Sequence, residues 1–437
     1  MSTTLLNAEV ALSKDIGDYW ASTTTSAGNV GGTTLVDTAL MAKANDWITD
    51  EAYDMLTEEP AGAAAIDEER KISSLDNSTG TLTTLAHGGQ IPSGIDYRVH
   101  RLFSASDKRI ALIEAAKNVY PACFKEIQDE SLVSGNWLKD GSFEVWSSST
   151  KLTYWTETTS TVTRTYTAGL FKHGSYAAVL STAAGTLSRT ITNDDDLMRL
   201  AGKTVTFTVQ GKCATANCLR IGIYDGTTTT YSSYLDQTTG WTEDDEPLKV
   251  VATIQDHPSA VTFYIYHDVA AGVSYVDDAR AITSENPGLY IGNLGLHANR
   301  PHQVSIEPCD YHVGSSWEVV RDWIVNASAG YIYLPDSVTK DLNLRVRGIG
   351  YLDFYTVGTT TPATTWTATI DLDEPQLKIL SAEAALYLYT QMSLPNYETG
   401  TRDDFAKGAS YWANECEKRK AKFGMKSPSA TVSWGLE

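Results

Sequence analysis

The sequence predicts an α+β multidomain protein: a mixed β/helical host body carrying an inserted all-β sandwich of jelly-roll kind. Three observations predict it. Helix-like periodicity appears before about residue 135 and after about residue 285, but not between. At Asn136-Trp-Leu-Lys-Asp-Gly-Ser-Phe-Glu-Val-Trp146 the chain changes style, and short alternating runs parted by Gly, Asp and Thr clusters follow. The length of 437 residues exceeds what one core ordinarily serves. The expected domains are therefore 1–135 (first half of the host body), 136–285 (insert) and 286–437 (second half).

The host body opens with a weakly helical stretch to about Tyr19, then a Thr/Ser/Gly run from Ser22 to Thr34 that reads as an extended loop or arm, either contact-making or mobile. Asp67 to Leu85 reads as a β-hairpin, because Asp76-Asn-Ser-Thr-Gly80 supplies a tight turn with a glycine free to take positive φ. Strand Asp96 to Phe103 follows. Ser104 caps a helix on which Ile110, Ile113, the Lys117 stem and Tyr120 recur at helical spacing until Pro121. Past the insert, Tyr331 to Leu334 and Leu342 to Tyr355 alternate with period two around an Asp336–Asp341 turn, predicting a second hairpin. Asp371-Leu-Asp-Glu-Pro375 starts a helix with the apolar stripe Leu377, Leu380, Ala384 and Leu388. Thr401-Arg-Asp-Asp404 opens the last helix, with Phe405, Ala409, Trp412 and Cys416 on one face, and the tail from Lys426 lacks a pattern.

Within the insert, seven runs are strand-like: Tyr176–Leu180, Thr186–Ile191, Thr204–Val209, Leu219–Tyr224, Leu248–Ile254, Val261–Tyr266 and Ser274–Asp277. Their number and spacing predict two packed antiparallel sheets. Alternation puts Phe263 and Ile265 on one face and Tyr264 and Tyr266 on the other, without deciding which pair is core.

Composition narrows the function classes. Apolar residues make up 42% of the chain, and 23 Tyr with 11 Trp speak for folded domains with contact surfaces. A net charge of −20 opposes nucleic-acid binding, which needs a basic footprint. The run Lys418-Arg-Lys-Ala-Lys422 follows Glu415 and Glu417 and reads as a solvated helix face with i,i+4 pairing. No stretch reaches the ~18 apolar residues of a membrane span and no cationic leader opens the chain, so the expectation is a soluble protein made in the cytosol. The five cysteines are scattered with no C-x-x-C pair, which suggests neither zinc nor a disulfide framework; Cys213 and Cys218 alone could face each other across a hairpin.

No catalytic motif is assembled: H-E-x-x-H, G-x-S-x-G and the phosphate-cradling glycine loop are all missing from the sequence. The expectation is a non-enzyme without cofactor. The densest set of reactive side chains, Cys309-Asp310-Tyr-His312 with His297 and His302 upstream, reads as loop residues.

Asn136, Gly141, Phe143, Glu144, Trp155, Tyr275, Val276, Asp277 and Asp278 resemble the opening and closing motifs of carbohydrate-binding β-sandwich modules attached to glycoside hydrolases. The resemblance covers about a third of the chain. It implies a jelly-roll sandwich, a structural calcium held by Glu144 and Asp277, and sugar or protein contact through exposed aromatics. The aromatic candidates are Trp146, Trp155, Tyr231, Tyr234 and Trp241, with Tyr224, Tyr264 and Tyr266 beside them.

The flanks, through Ile66 to Leu82, Asp96 to Phe103 and Ile332 to Tyr389, resemble tailed-bacteriophage head-to-tail connector or adaptor (neck) proteins. That resemblance implies a virion structural protein forming a twelvefold homo-oligomeric ring, with the portal protein and tail or neck proteins as partners. The competing reading is a glycan-binding tail fibre or baseplate component that recognises a cell-surface glycan through the sandwich. A carbohydrate-active enzyme with a binding module ranks third.

Overall fold

The structure, a computed structural model, describes residues 2–57, 67–236, 240–243, 246–308, 316–357, 362–394 and 402–426. The chain resolves into two compact units, one built from Met1–Lys125 with Tyr351–Ser427 and the other centred on Glu126–Gly350.

In the first unit, Thr4 caps the Leu5–Asp15 helix by accepting from the Asn7 N–H. This helix shares a core with the helices Ala105–Asn118, Glu374–Met392 and Arg402–Phe423. Strand Thr3–Thr4 pairs with Thr369–Ile370, joining sequence-distant segments of the unit. A six-stranded antiparallel sheet runs in the order Trp20–Thr23, Asp96–His100, Tyr53–Leu56, Glu69–Asp76, Thr81–Thr84, Thr34–Val36. The Asp76–Gly80 turn forms as expected, because Gly80 sits at φ +65° with Asp37 O only 2.3 Å from where a Cβ would lie. The run from Ser22 to Thr34 is not a free arm: its start is a paired strand, Thr24 N–H donates to Ile95 O, and Gly28 N–H to Ile91 O.

The Ala105–Asn118 helix buries Lys108, Ala111, Leu112, Ala115 and Ala116, while Ile110 is 48% exposed, so the expected apolar stripe is rotated. The reason is a buried ion cluster. Lys108 Nζ lies 2.9 Å from Asp18 Oδ2, donates to Ser13 Oγ at 2.8 Å, and stands 2.9 Å from His100 Nδ1. Burial, then the Lys108 charge, holds His100 well below the usual imidazole range, so the neutral ring accepts from the ammonium. Pairing lets this lysine enter a core position that a hydrophobicity pattern assigns to an isoleucine.

The second unit contains the sandwich. One sheet runs Thr156–Thr158, Gly185–Ile191, Val261–His267, Leu219–Tyr224, Thr229–Tyr231; the other runs Thr161–Thr165, Ala177–Ser181, Ser274–Ile282, Thr204–Cys213, Leu248–Thr253. All seven expected strands are present. The additional strands at 156–158, 161–165 and 229–231 are threonine-rich, and a short helix, Asp194–Leu200, leads into the Thr204–Cys213 strand. Between the sheets Phe207 meets Phe263 edge to face at 5.2 Å in a continuous apolar core.

The same unit takes in segments that the sequence reading assigns to the host body. A four-stranded sheet orders Glu318–Val319, Gln303–Ile306, Asn343–Gly350, Lys125–Val133, and a three-stranded sheet orders Leu289–Tyr290, Tyr331–Tyr333, Ile324–Asn326. The two share one apolar core. Tyr331–Tyr333 and Asn343–Gly350 therefore sit in different sheets, and the expected hairpin between them does not form. Each has a closer apolar partner: Ile332 opposes Leu289 and Val325, and Val346 opposes Val304. Among the described residues no helix is long and apolar enough to cross a membrane.

The entry and exit of the sandwich are tied by one amide. Asn136 Nδ2 donates to Ala279 O at 3.0 Å, while its Oδ1 accepts from Ala281 N–H at 2.8 Å and Leu138 N–H at 3.1 Å. Replacing Asn136 by Ala orphans three buried backbone groups and is expected to cost about 3 kcal/mol, read as a lowered urea midpoint with an unchanged slope. Asn136→Asp should lose a similar amount, since it keeps the acceptor but loses the donor.

Candidate functional site

The outward face of the first sandwich sheet carries the densest aromatic surface of this unit. On Val261–His267, Phe263 and Ile265 are fully buried, so the period-two backbone turns Tyr264 and Tyr266 outward. The register then sets their neighbours. Tyr264 stands opposite Gly222 on one side and Ser188 on the other, Tyr266 stands opposite Arg220 and Thr186, and Gly222 in turn opposes Tyr231. Ring centroids lie 5.4 Å apart for both Tyr264–Tyr266 and Tyr231–Tyr266. Gly222 lets the Tyr266 ring lie down against the strand between them, since an added Cβ would come within 3.2 Å of that ring.

Arg220 organises one end of this face. Its guanidinium lies 4.6 Å from the Tyr231 centroid, 4.9 Å from Tyr234 and 5.3 Å from Tyr266. Its Nε is 2.8 Å from Asp268 Oδ2, the oxygen to which the Tyr234 hydroxyl donates at 2.8 Å. That hydrogen bond holds the Tyr234 phenol protonated, and burial with the Tyr231 hydroxyl does the same for Tyr266. The rings are thus neutral at ordinary pH. A hydroxyl-bearing ligand laid on this face meets stacked rings, a guanidinium and the Ser188, Thr186 and Thr229 side-chain positions.

The other sequence candidates separate from this face. Trp155 is a core residue at 5% exposure, packed 5.1 Å from Phe143 with its Nε1 donating to Asp140 O, so its place in the contact set is corrected. An indole whose N–H finds a backbone acceptor can be buried whole, which a reading of residue type alone misses. Trp146 is half-buried against the same core and donates to Phe143 O. Trp241 is half-buried with its indole N–H unpaired, and Tyr224 donates to Gly226 O. Tyr231, at 47% exposure, and Tyr234 belong to the face. Cys213 and Cys218 are buried free thiols, and burial pushes Cys218 up to about 11. His302 lies beside the four-stranded sheet, where its N–H donates to Arg347 O, whereas Cys309, Asp310 and His312 lie outside the described residues.

Glu144 and Asp277 converge on one loop. Glu144 Oε1 accepts from the N–H groups of Ser175 and Tyr176, and Asp277 Oδ2 from those of Lys172 and His173. Calcium asks for six or more oxygens. Here the loop-facing oxygens are taken up by N–H donors, and among the described residues no group of three His, Cys, Asp or Glu could hold a metal. The placed residues fit a loop clamp.

No protein-family model matches the chain, and no curated protein matches it. Solved structures similar to part of it include a family-61 carbohydrate-binding module in complex with β-1,4-galactotriose (14% identity, 34% of this chain and 98% of that one, TM-score 0.26). A xylan-binding domain of carbohydrate-binding family 22 is similar at 17% identity over 34% of this chain and 95% of that one, with TM-score 0.24. The enzymatically active domain of tailspike protein 4 from bacteriophage CBA120 is similar at 14% identity over 35% of this chain and 21% of that one, with TM-score 0.25.

The clamp makes a pH prediction. Burial pushes Glu144 up to about 7 and Asp277 up to about 8, against ordinary values of 4.5 and 3.8. The folded state therefore binds these protons more tightly than the unfolded chain, and stability falls as pH rises between about 4 and 8. Thermal unfolding of the sandwich should occur about 4 °C or more higher at pH 5 than at pH 8.5. Asp277→Asn should flatten the profile. A saturable rise with calcium at pH 8.5, absent in that variant, would instead show that a cation completes the clamp.

Proposed function

We propose that the chain is a non-enzymatic glycan-binding component of a tailed-phage virion, with the Tyr231–Tyr264–Tyr266 face of the sandwich as its recognition surface. The carrying observation is the tyrosine cluster packed around Gly222. Aromatic rings on a pleated sheet, spaced 5.4 Å apart and flanked by Arg220 and hydroxyl side chains, suit the mixed apolar and hydroxylated faces of a sugar chain. The carboxylate at this face, Asp268, is engaged by Arg220 and Tyr234, which supports binding without turnover.

The virion setting rests on the sequence resemblance of the flanks. Within that setting, a tail fibre or baseplate role fits a ligand-facing surface better than a connector ring, whose assembly does not call for an outward tyrosine cluster on the sandwich. The partner is accordingly a cell-surface glycan.

Glycan-array and calorimetric binding by the full-length protein tests this reading. Tyr264→Ala with Tyr266→Ala should weaken binding by about tenfold or more, and Tyr231→Ala should weaken it less, with unfolding temperatures unchanged. Trp146→Phe, away from the face, should leave binding intact. Failure to bind any glycan, together with a closed ring by light scattering and imaging in the presence of a portal protein, would return the assignment to the connector.

A further inference from the structure

On the inner side of the same sheet, a cavity of about 470 Å³ opens where the Asn136–Ser142 segment, the end of the Gly185–Ile191 strand and the Leu289–Tyr290 and Tyr331–Tyr333 strands meet. All of these lie within one compact unit. Arg189 is the cation at its wall. It shares its strand side with Leu187 and Ile191 and opposes core residue Phe263, so it projects away from the Tyr264–Tyr266 face. One guanidinium nitrogen donates to Tyr154 O at 2.9 Å, and Nε is buried with no acceptor. No carboxylate among the described residues pairs with it.

That is unlike the other well-buried arginines of the chain. Arg98 pairs with Glu9 at 2.7 Å, Arg280 with Asp278 at 2.6 Å, and Arg419 with Asp15 at 2.7 Å. A desolvated guanidinium without a counter-charge is costly, and burial lowers the Arg189 pKa accordingly. A second cation stands nearby: Lys139 Nζ lies 4.6 Å over the Tyr290 ring and 4.9 Å over Tyr331, likewise with no ion pair among the described residues. The rest of the lining is mixed: aliphatic Leu138, Ile191 and Leu289, a third cation, Arg199, that is already paired with Glu285, and Asn193, Asp195 and Asp196 as polar partners for hydroxyl groups.

We propose that this cavity is a binding site for a carboxylated sugar residue, its carboxylate paired by Arg189 and Lys139 and its ring held against Tyr290 and Tyr331. The volume lies within the range of small-ligand sites, and the polar lining disfavours a lipid or other apolar guest. The planar fork of Arg189 matches a carboxylate, and the ligand's carboxylate supplies the counter-charge that this side chain lacks among the described residues. The site shares no residue with the outer tyrosine face, so it stands or falls separately from that reading.

Saturation-transfer NMR and calorimetry on the full chain test it, with glucuronate, galacturonate and N-acetylneuraminate as probes and glucose, galactose and glutarate as controls. At least one acidic sugar should bind saturably with Kd below about 10 mM, and the neutral sugars and glutarate about tenfold more weakly or worse. Arg189→Gln and Lys139→Gln should each weaken binding by about tenfold, while the Tyr264→Ala, Tyr266→Ala pair should leave it unchanged. If Arg189→Gln fails to fold, Lys139→Gln carries the test. Absence of saturable binding by all three acidic sugars, indifference to Lys139→Gln, or equal binding of glutarate would overturn the proposal.

Discussion

The second unit depends on the Asn136 clasp. One side-chain amide, spending its donor on Ala279 O and its acceptor on Leu138 and Ala281 N–H, fastens the first residues of the sandwich to the strand that closes it. The fastening continues on both sides. Gly141 O accepts from Ala279 N–H at 2.7 Å, and Trp137 N–H donates to Ala281 O at 3.0 Å. Gly141 is required there, because Ala279 O would stand 2.1 Å from a Cβ. Each buried backbone group thereby finds a partner where two loop-like segments cross a core boundary, the place where unpaired groups would otherwise accumulate.

From the clasp follow the two surfaces of the neighbouring sheet. The segment it fixes, Asn136 to Ser142, is one wall of the inner cavity and carries Lys139. Arg280 on the closing strand reaches Asp278, Asp341 and Asn343, binding the sandwich to the small sheet beside it. With position so fixed, the period of two assigns chemistry by face: Tyr264 and Tyr266 outward, Phe263 and Ile265 inward, and Arg189 at the inner end where the core gives way to the cavity. One sheet can thus present an aromatic face on one side and a cationic pocket at the end of the other.

Much of this was legible in the sequence, and the gaps have physical causes. The seven sandwich strands stand out because β-branched and aromatic residues alternate there; strands 156–158, 161–165 and 229–231 do not, because they are short, threonine-rich and hold a single large apolar side chain at most. The Glu374–Met392 stripe reads correctly since Leu377, Leu380, Ala384 and Leu388 are all buried. The Ala105–Asn118 stripe misleads because a paired lysine occupies the core. Tyr264 and Tyr266 are visible as a pair, but only the register across Gly222 brings Tyr231 and Arg220 to them. Arg189 went unnoticed among Ser188 and Thr190, although its phase with Leu187 and Ile191 places it on the buried side, and that phase was the available signal.

Net charge then constrains how such sites can operate. With 54 acidic against 34 basic side chains, the chain's overall field repels an anionic ligand. At physiological ionic strength that field decays within about 8 Å, whereas a guanidinium walled by Tyr154 and the core is screened far less. Recognition of an acidic group at Arg189 therefore rests on short-range, desolvated pairing rather than long-range steering. An acidic exterior around a sheltered cation filters by geometry, because an anion must fit the cavity to reach the charge.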